Sequence, residues 1–314
     1  MNSSPRLSVI MVAGACRKRV QHALDRLCAQ TALPLLEIVV VDLSPGTLPP
    51  LSIPAGAPVT ILPANNVTEW GEARRLGLEN SSAPLIAFIE EHCFTDPGWA
   101  AALIEAHEGP WVSVGYAFRN ANPKSYVSRA AMMTDYGLWL HPVLRGPVSL
   151  LPGSNVSYKR DAFLSLGDRL KDALATDFVA HEAFRERGLP MFVEPAAVAH
   201  HMNFETVYET AITNYVWCRA MAARRVQASG WSGVRRVLQA LATPFTAPVY
   251  RIGRLARQLR GRRALWWPFV VSGPVLLIVS LWAGFGEAAG YLLGAGNAEG
   301  QLKWWELDVE RVPI

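Results

Sequence analysis

Carboxylates and imidazoles are the side chains that ligate divalent cations and move protons near neutral pH. In this sequence they gather at a few points. Glu90-Glu91-His92 ends the apolar run from Leu85 to Ile89, and Asp42 ends the run Ile38-Val39-Val40-Val41. His200-His201 follow the apolar stretch from Ala196 to Ala199, and Asp177 opens a segment of helical pattern from Phe178 to Arg187, where an N-cap is the simplest use for it. A second chemistry is cationic: between Arg219 and Arg263 there are eleven arginines and no acidic residue. Aliphatic residues interleave them and a long uncharged run follows, which suits phospholipid headgroups better than nucleic acid. The four cysteines, Cys16, Cys28, Cys93 and Cys218, show no CxxC spacing, so neither a zinc site nor a disulfide scaffold is indicated.

The elements that must position these groups can be read from periodicity. Ser8 to Ala13 suits a buried strand, and Arg17 to Ala29 places Val20, Leu24, Leu27 and Cys28 on one helical face. Glu37 to Asp42 is a β-branched run of the kind covered on both sides in a parallel sheet. Thr47 to Pro58 carries four prolines and reads as a loop, Val59 to Leu62 as a strand, Glu69 to Leu78 as a helix and Leu85 to Ile89 as another strand. Strands alternating with helices predict a doubly wound α/β sheet, which binds ligands beyond the carboxyl ends of its strands. Asp42 and Glu90-Glu91-His92 both fall at such ends.

The order of these motifs over roughly residues 7–225 resembles family 2 glycosyltransferases of the GT-A fold. Ser8-Val9-Ile10, the helix ending Ala29-Gln30-Thr31, and Glu37 to Asp42 match the family's opening, which implies that Asp42 contacts the nucleotide base. Gly71-Glu72-Ala73-Arg74-Arg75-Leu76-Gly77 resembles a helix whose arginine, here Arg74, approaches the diphosphate; Arg75 stands where asparagine is usual. Glu90-Glu91-His92 before Asp96-Pro97-Gly98-Trp99 occupies the place of the D-x-D motif. The resemblance therefore implies a divalent metal, Mg2+ or Mn2+, on Glu90 and His92, with Glu91 in reserve toward the donor. Pro152-Gly153-Ser154-Asn155 resembles the stretch under the acceptor. Thr176-Asp177 with Gly188 reproduces the interval whose aspartate is the general base of an inverting transfer. His200 or His201 matches a histidine that approaches the metal or diphosphate, and Tyr215-Val216-Trp217-Cys218-Arg219 matches an acceptor-side segment that assigns Trp217 and Arg219 there.

With 51% aliphatic, aromatic and cysteine residues and 18% charged, the 314-residue chain is unusually apolar, and the excess lies late. Ala264 to Gly286 is uncharged and long enough as a helix, about 34 Å, to cross a bilayer. Pro268 and Pro274 leave a re-entrant hairpin as the other form. Val237 to Tyr250 is too short to span and reads as interfacial. The expected organisation is a GT-A nucleotide-sugar-binding sheet over 1–205, basic amphipathic helices over 206–263, a transmembrane or re-entrant segment over 264–286 and a tail over 287–314. The arginines precede the apolar run, and five acidic residues follow it against two basic ones. The positive-inside rule then predicts a cytoplasmic-membrane protein with its catalytic domain facing the cytoplasm. The expected activity is inverting transfer of a sugar from a nucleoside-diphosphate donor to a lipid or lipid-linked acceptor at an anionic membrane surface, with no nucleic acid involved. A catalytically inactive relative serving as a membrane scaffold is the alternative, supported by Glu90-x-His92. A sugar-phosphate nucleotidyltransferase would want a glycine-rich loop after the first strand, where Ala13-Gly14-Ala15-Cys16 has one glycine.

Overall fold

The computed structural model of the chain describes residues 4–44, 46 and 48–311. In chain order the elements are β1 Leu7–Ala13, α1 Arg17–Cys28, β2 Leu36–Asp42, β3 Val59–Pro63, α2 Trp70–Glu79, β4 Leu85–Glu90, β5 Cys93–Thr95, α3 Trp99–Ala106, β6 Ser113–Asn120, α4 Tyr126–Tyr136, β7 Gly146–Val148, β8 Val156–Lys159, α5 Arg160–Leu164, α6 Leu170–Ala175, α7 Asp177–Glu186 and β9 Met191–His201. Five helices follow: α8 Val207–Ser229, α9 Gly233–Gln258, α10 Trp266–Val271, α11 Gly273–Leu293 and α12 Ala298–Leu307. The expected early elements are present to within a residue or two. Thr47, the first residue of the expected loop, lies outside the described residues.

The described residues divide into two compact units, one within 4–119 and 139–201, the other within 120–138 and 202–311. In the first, one sheet has the order β3-β2-β1-β4-β8-β6-β9-β5, with β7 on β9. Its first four strands are parallel: Val12 lies opposite Val41 on one side and Glu90 on the other, and Ala13 lies opposite Asp42. Past β4 the sheet is mixed, since β8 runs antiparallel to β4 and to β6, and β5 antiparallel to β9. β1 and β4 are buried throughout, as strands of a parallel sheet covered on both faces must be. Gly77 of α2 lets that helix lie close on the sheet, because a β-carbon there would collide with Ile10 Cγ2 and press within 3.3 Å of Val41 Cγ2.

The second unit is helical. α8 starts with a threonine N-cap, in which Thr206 Oγ1 accepts from the Glu209 amide at 3.2 Å and donates to the Glu209 carboxylate at 2.5 Å. It ends at Gly230 in the left-handed conformation, φ 57°. α9 continues through Pro244 and Pro248 for 26 residues. The uncharged run expected over 264–286 is not one helix: Ser272 separates α10 from α11, and α11 runs on past Glu287.

Candidate active site

Parallel strands end together, so the register of β2, β1 and β4 brings Asp42, Ala13 and Glu90 to one edge. Asp42 and Glu90 stand two strand spacings, about 10 Å, apart across it. Asp42 accepts from Arg17 Nη2 at 2.7 Å and from the Ser44 amide at 3.0 Å. Burial opposes its ionisation, but the bonds from Arg17 and Ser44 outweigh burial and hold the carboxyl below the ordinary aspartate range. The next residue along the edge, Glu91, is fully buried. Its Oε2 accepts from the Gly14 amide at 2.7 Å and its Oε1 from Arg19 Nε at 3.0 Å. A donor contact was expected for Glu91; its carboxylate instead ties the loop after β1 to α1, because it turns into the protein where Arg19 neutralises it.

Glu90 is the centre of a converging group. His92 Nε2 lies 3.3 Å and His201 Nε2 3.5 Å from its Oε2, and the two imidazoles meet edge to face at 4.7 Å between centroids. Burial alone would favour the neutral acid, yet His92 and His201 hold Glu90 well below the usual carboxylate range. Pairing of β5 with β9 sets Cys93 opposite His201 and Phe94 opposite His200. Successive residues of a strand face opposite ways, so only His201 joins Glu90. His200 turns to Asp96, with its Nε2 3.0 Å from Oδ1, which removes it from the expected metal set. Glu90, Cys93 and His201 each offer a ligand atom, all within 4.8 Å of one another. Carboxylate, imidazole and thiol together fit a divalent cation of borderline character, Mn2+ better than Mg2+.

Asn155 was expected on the acceptor side and is wholly buried. Its Oδ1 accepts from the Glu90 amide at 3.1 Å, its amide donates to the Glu90 carboxylate, and Tyr116 Oη donates to Oδ1 at 3.3 Å. It braces Glu90 from beneath.

Two residues given separate tasks by the sequence meet each other. Arg74 Nη1 donates to Asp177 Oδ2 at 2.8 Å, with both side chains almost fully buried, and its guanidinium lies 4.5 Å over the Phe88 ring. Asp177 also accepts from the Ser154 amide at 2.7 Å and from Tyr158 Oη at 2.8 Å. Ser154 takes φ 65°, a left-handed value rare outside glycine, in the segment that aims that amide at the carboxylate. Tyr158 Oη lies 3.0 Å from His181 Nε2, and burial pushes His181 down to about 4. Asp177 is thus the first residue of α7, and its side chain serves an internal network. Arg75 makes exposed pairs with Glu72 and Glu79 on the solvated face of α2.

Trp217 and Arg219 belong to the second unit. Trp217 is exposed on α8, whereas Arg219 Nε donates to the Gly294 carbonyl at 2.9 Å, at the end of α11. Sequence reasoning missed Arg17, Arg19, Cys93, Tyr158 and His181. Each meets its partner across the fold, and only the basic cluster Arg17-Lys18-Arg19 just after β1 gave any sign.

A strand-edge cluster of carboxylates and imidazoles on a sheet of this order can hold a cation and an anionic ligand beyond the strand ends. Residues 8–167 match the model of the family described as Glycosyl transferase family 2. That is just over half of the chain, which belongs to this family and is a glycosyltransferase. Among solved structures, the chain is similar to the mannosyltransferase PcManGT from Pyrobaculum calidifontis, solved with GDP-Man and Mn2+. The TM-score is 0.51 and the identity 16%, over 90% of this chain and 87% of that one. TarS 1-349 from S. aureus, solved with UDP-GlcNAc, gives a TM-score of 0.46 at 15% identity, over 64% of this chain and 59% of that one. Among curated proteins, none matches.

Proposed function

We propose that this glycosyltransferase moves a sugar, with inversion, from a nucleoside-diphosphate donor to a lipid or lipid-linked acceptor at the cytoplasmic face of a membrane. The observation that carries the donor half is the convergence of Glu90, His92 and His201 at the carboxyl edge of β4, one strand removed from Asp42. Asp42, ionised and fixed by Arg17 and Ser44, presents a rigid acceptor to the base or ribose of the donor. Glu90 and His201, with Cys93 and His92 beside them, would hold the divalent ion, which when bound neutralises charge on the departing diphosphate. PcManGT, solved with GDP-Man and Mn2+, makes the same pairing of ligands reasonable here. The converged donors favour this reading over an inactive scaffold.

The chain's own residues set the acid–base step. Asp177 is the proposed base, but here its oxygens are taken by Arg74, Ser154 and Tyr158. A diphosphate is the stronger partner for a guanidinium. Donor binding that draws Arg74 toward the diphosphate would release a lone pair of Asp177 for the acceptor hydroxyl. The same burial favours a second reading, in which Arg74 and Asp177 form a purely structural pair and the base lies elsewhere. The acceptor half rests on the second unit, whose exposed apolar helix face and arginines suit a bilayer. The boundaries 1–205, 206–263, 264–286 and 287–314 remain our proposed division of the chain by task.

Calorimetry with a panel of nucleoside-diphosphate sugars, in Mn2+, Mg2+ or EDTA, tests the donor site. Binding should need the metal, and Glu90→Gln and His201→Ala should each weaken it by about tenfold or more. Tight binding in EDTA that neither variant changes would remove the metal from this reading.

A further inference from the structure

α11 is long and apolar enough to cross a bilayer by length and composition, yet 44% of its most apolar window is buried inside the protein. What buries it decides how it can lie. Gly286 and Gly290 pack on the backbone of α8: a β-carbon at 286 would stand 2.9 Å from Tyr215 Cα, and one at 290 would stand 3.1 Å from the Arg219 carbonyl carbon. The offset of four residues in each chain means that α8 and α11 run side by side in the same direction. Gly284 seats against α9, where a β-carbon would lie 2.6 Å from the Thr243 carbonyl oxygen. After α11 the chain turns back onto α8, with Ala298 against Val216 and Ala220 and Glu299 paired to Arg224 at 2.7 Å.

Arginines stand at both ends of α11. At its C-terminal end Arg236 donates to the Tyr291 carbonyl at 2.6 Å and the Leu292 carbonyl at 3.0 Å, Arg219 donates to the Gly294 carbonyl, and Arg225 donates to Tyr291 Oη at 2.6 Å. At its N-terminal end the chain arrives through Arg257, Arg260, Arg262 and Arg263. A crossing would put one of these clusters on the far side, against the positive-inside rule. It would also carry α8 into the hydrocarbon with Asn214, Arg219, Arg224 and Arg225. A charged side chain is unfavourable at the bilayer centre.

We infer that α11 does not cross, and that the second unit enters an anionic membrane from one side only, with α9 lying in the plane of the surface. This rests on the membrane reading above and fixes its form. The apolar stripe Val234, Leu238, Leu241, Phe245 and Val249 follows one face of α9 at helical spacing, and Leu241, Phe245 and Val249 are 68%, 78% and 76% exposed. Exposed Arg235 lies near one end of it, and Arg254 and Arg257 lie near the other. An apolar stripe between cationic ends matches the boundary of acyl chains and anionic headgroups.

The test uses the full chain in membrane vesicles from the producing cells, right-side-out and inverted. Ala264→Cys precedes α11 and Gln301→Cys follows it, both at exposed positions. Each is labelled with an impermeant maleimide, over the parent chain's own labelling. Both should label from one and the same side. Labelling of Gln301→Cys from the opposite side would overturn the inference and leave membrane attachment intact. Full-length protein that stays soluble and does not float with vesicles would overturn the membrane reading itself. A second variant, Leu241→Glu with Phe245→Glu, changes only exposed side chains, and its thermal melt should match the parent. It should weaken binding to phosphatidylcholine–phosphatidylglycerol vesicles by about tenfold or more. Unchanged vesicle binding would overturn the assigned face, and loss of a dimer in its place would give that face to a second copy of the chain.

Discussion

Burial alone would raise the pKa of Asp177, yet Arg74, His181 and the Ser154 amide hold it below that of an ordinary aspartate. A carboxyl depressed on folding contributes stability above its unfolded value, ~3.9, and loses it as pH falls through the lower folded value. Asp177→Asn should therefore cost about 3–5 kcal/mol at neutral pH, because it strands a buried guanidinium. The gap to the parent should narrow below about pH 4. Denaturant unfolding over a pH series checks both, and a gap that ignores pH would mean the pair is not ionic. In the folded variant, turnover should fall by about 10²–10⁴-fold if Asp177 is the base; near-normal turnover leaves the structural reading of the pair.

Among elements, strand alternation and helix approach do most of the placing. β9 presents His201 to Glu90 and turns His200 away to Asp96, although the two are adjacent and chemically identical. α11 is drawn onto α8 and α9 by glycines, which give different signs to one substitution. An alanine in a helix gains about 1 kcal/mol over glycine. At Gly286 the new methyl meets the Tyr215 backbone, which cannot rotate away as a side chain can, so overpacking of about 1–3 kcal/mol should win and lower the melting temperature. At Gly253 nothing lies within 4 Å, so Gly253→Ala should raise it. Equal shifts of one sign in calorimetric melts of the two variants would contradict this packing.

At the scale of the whole molecule a formal net charge of +4 conceals a strong asymmetry, since eleven arginines lie between Arg219 and Arg263. Arg235, Arg254, Arg257, Arg260 and Arg263 are exposed. Each is worth at most about 1 kcal/mol near an anionic surface. Raising salt from 0.1 M to 1 M shortens the screening length from about 10 Å to about 3 Å. Vesicle sedimentation should then show binding that weakens with salt without vanishing, because burial of the apolar stripe on α9 is not screened. Binding unaffected by salt would remove the arginines from the interaction.

Periodicity and strand-end chemistry made the parallel half of the sheet legible, together with Asp42, Glu90 and His92 at its edge, because these depend on neighbours within one strand or one turn. The amphipathic character of α9 was legible for the same reason. Other features were decided by partners far apart in sequence. Arg19 claims Glu91 across 72 residues, Arg74 claims Asp177 across 103, and Asn155 reaches Glu90 across 65. The choice of His201 over His200 came from the pairing register of β5 and β9, and the same register set Cys93 opposite His201. An uncharged run of 23 residues states only that a segment avoids water. Whether it is hidden by lipid or by α8 and α9 depends on which surfaces those helices offer, and that is fixed only when the chain has packed.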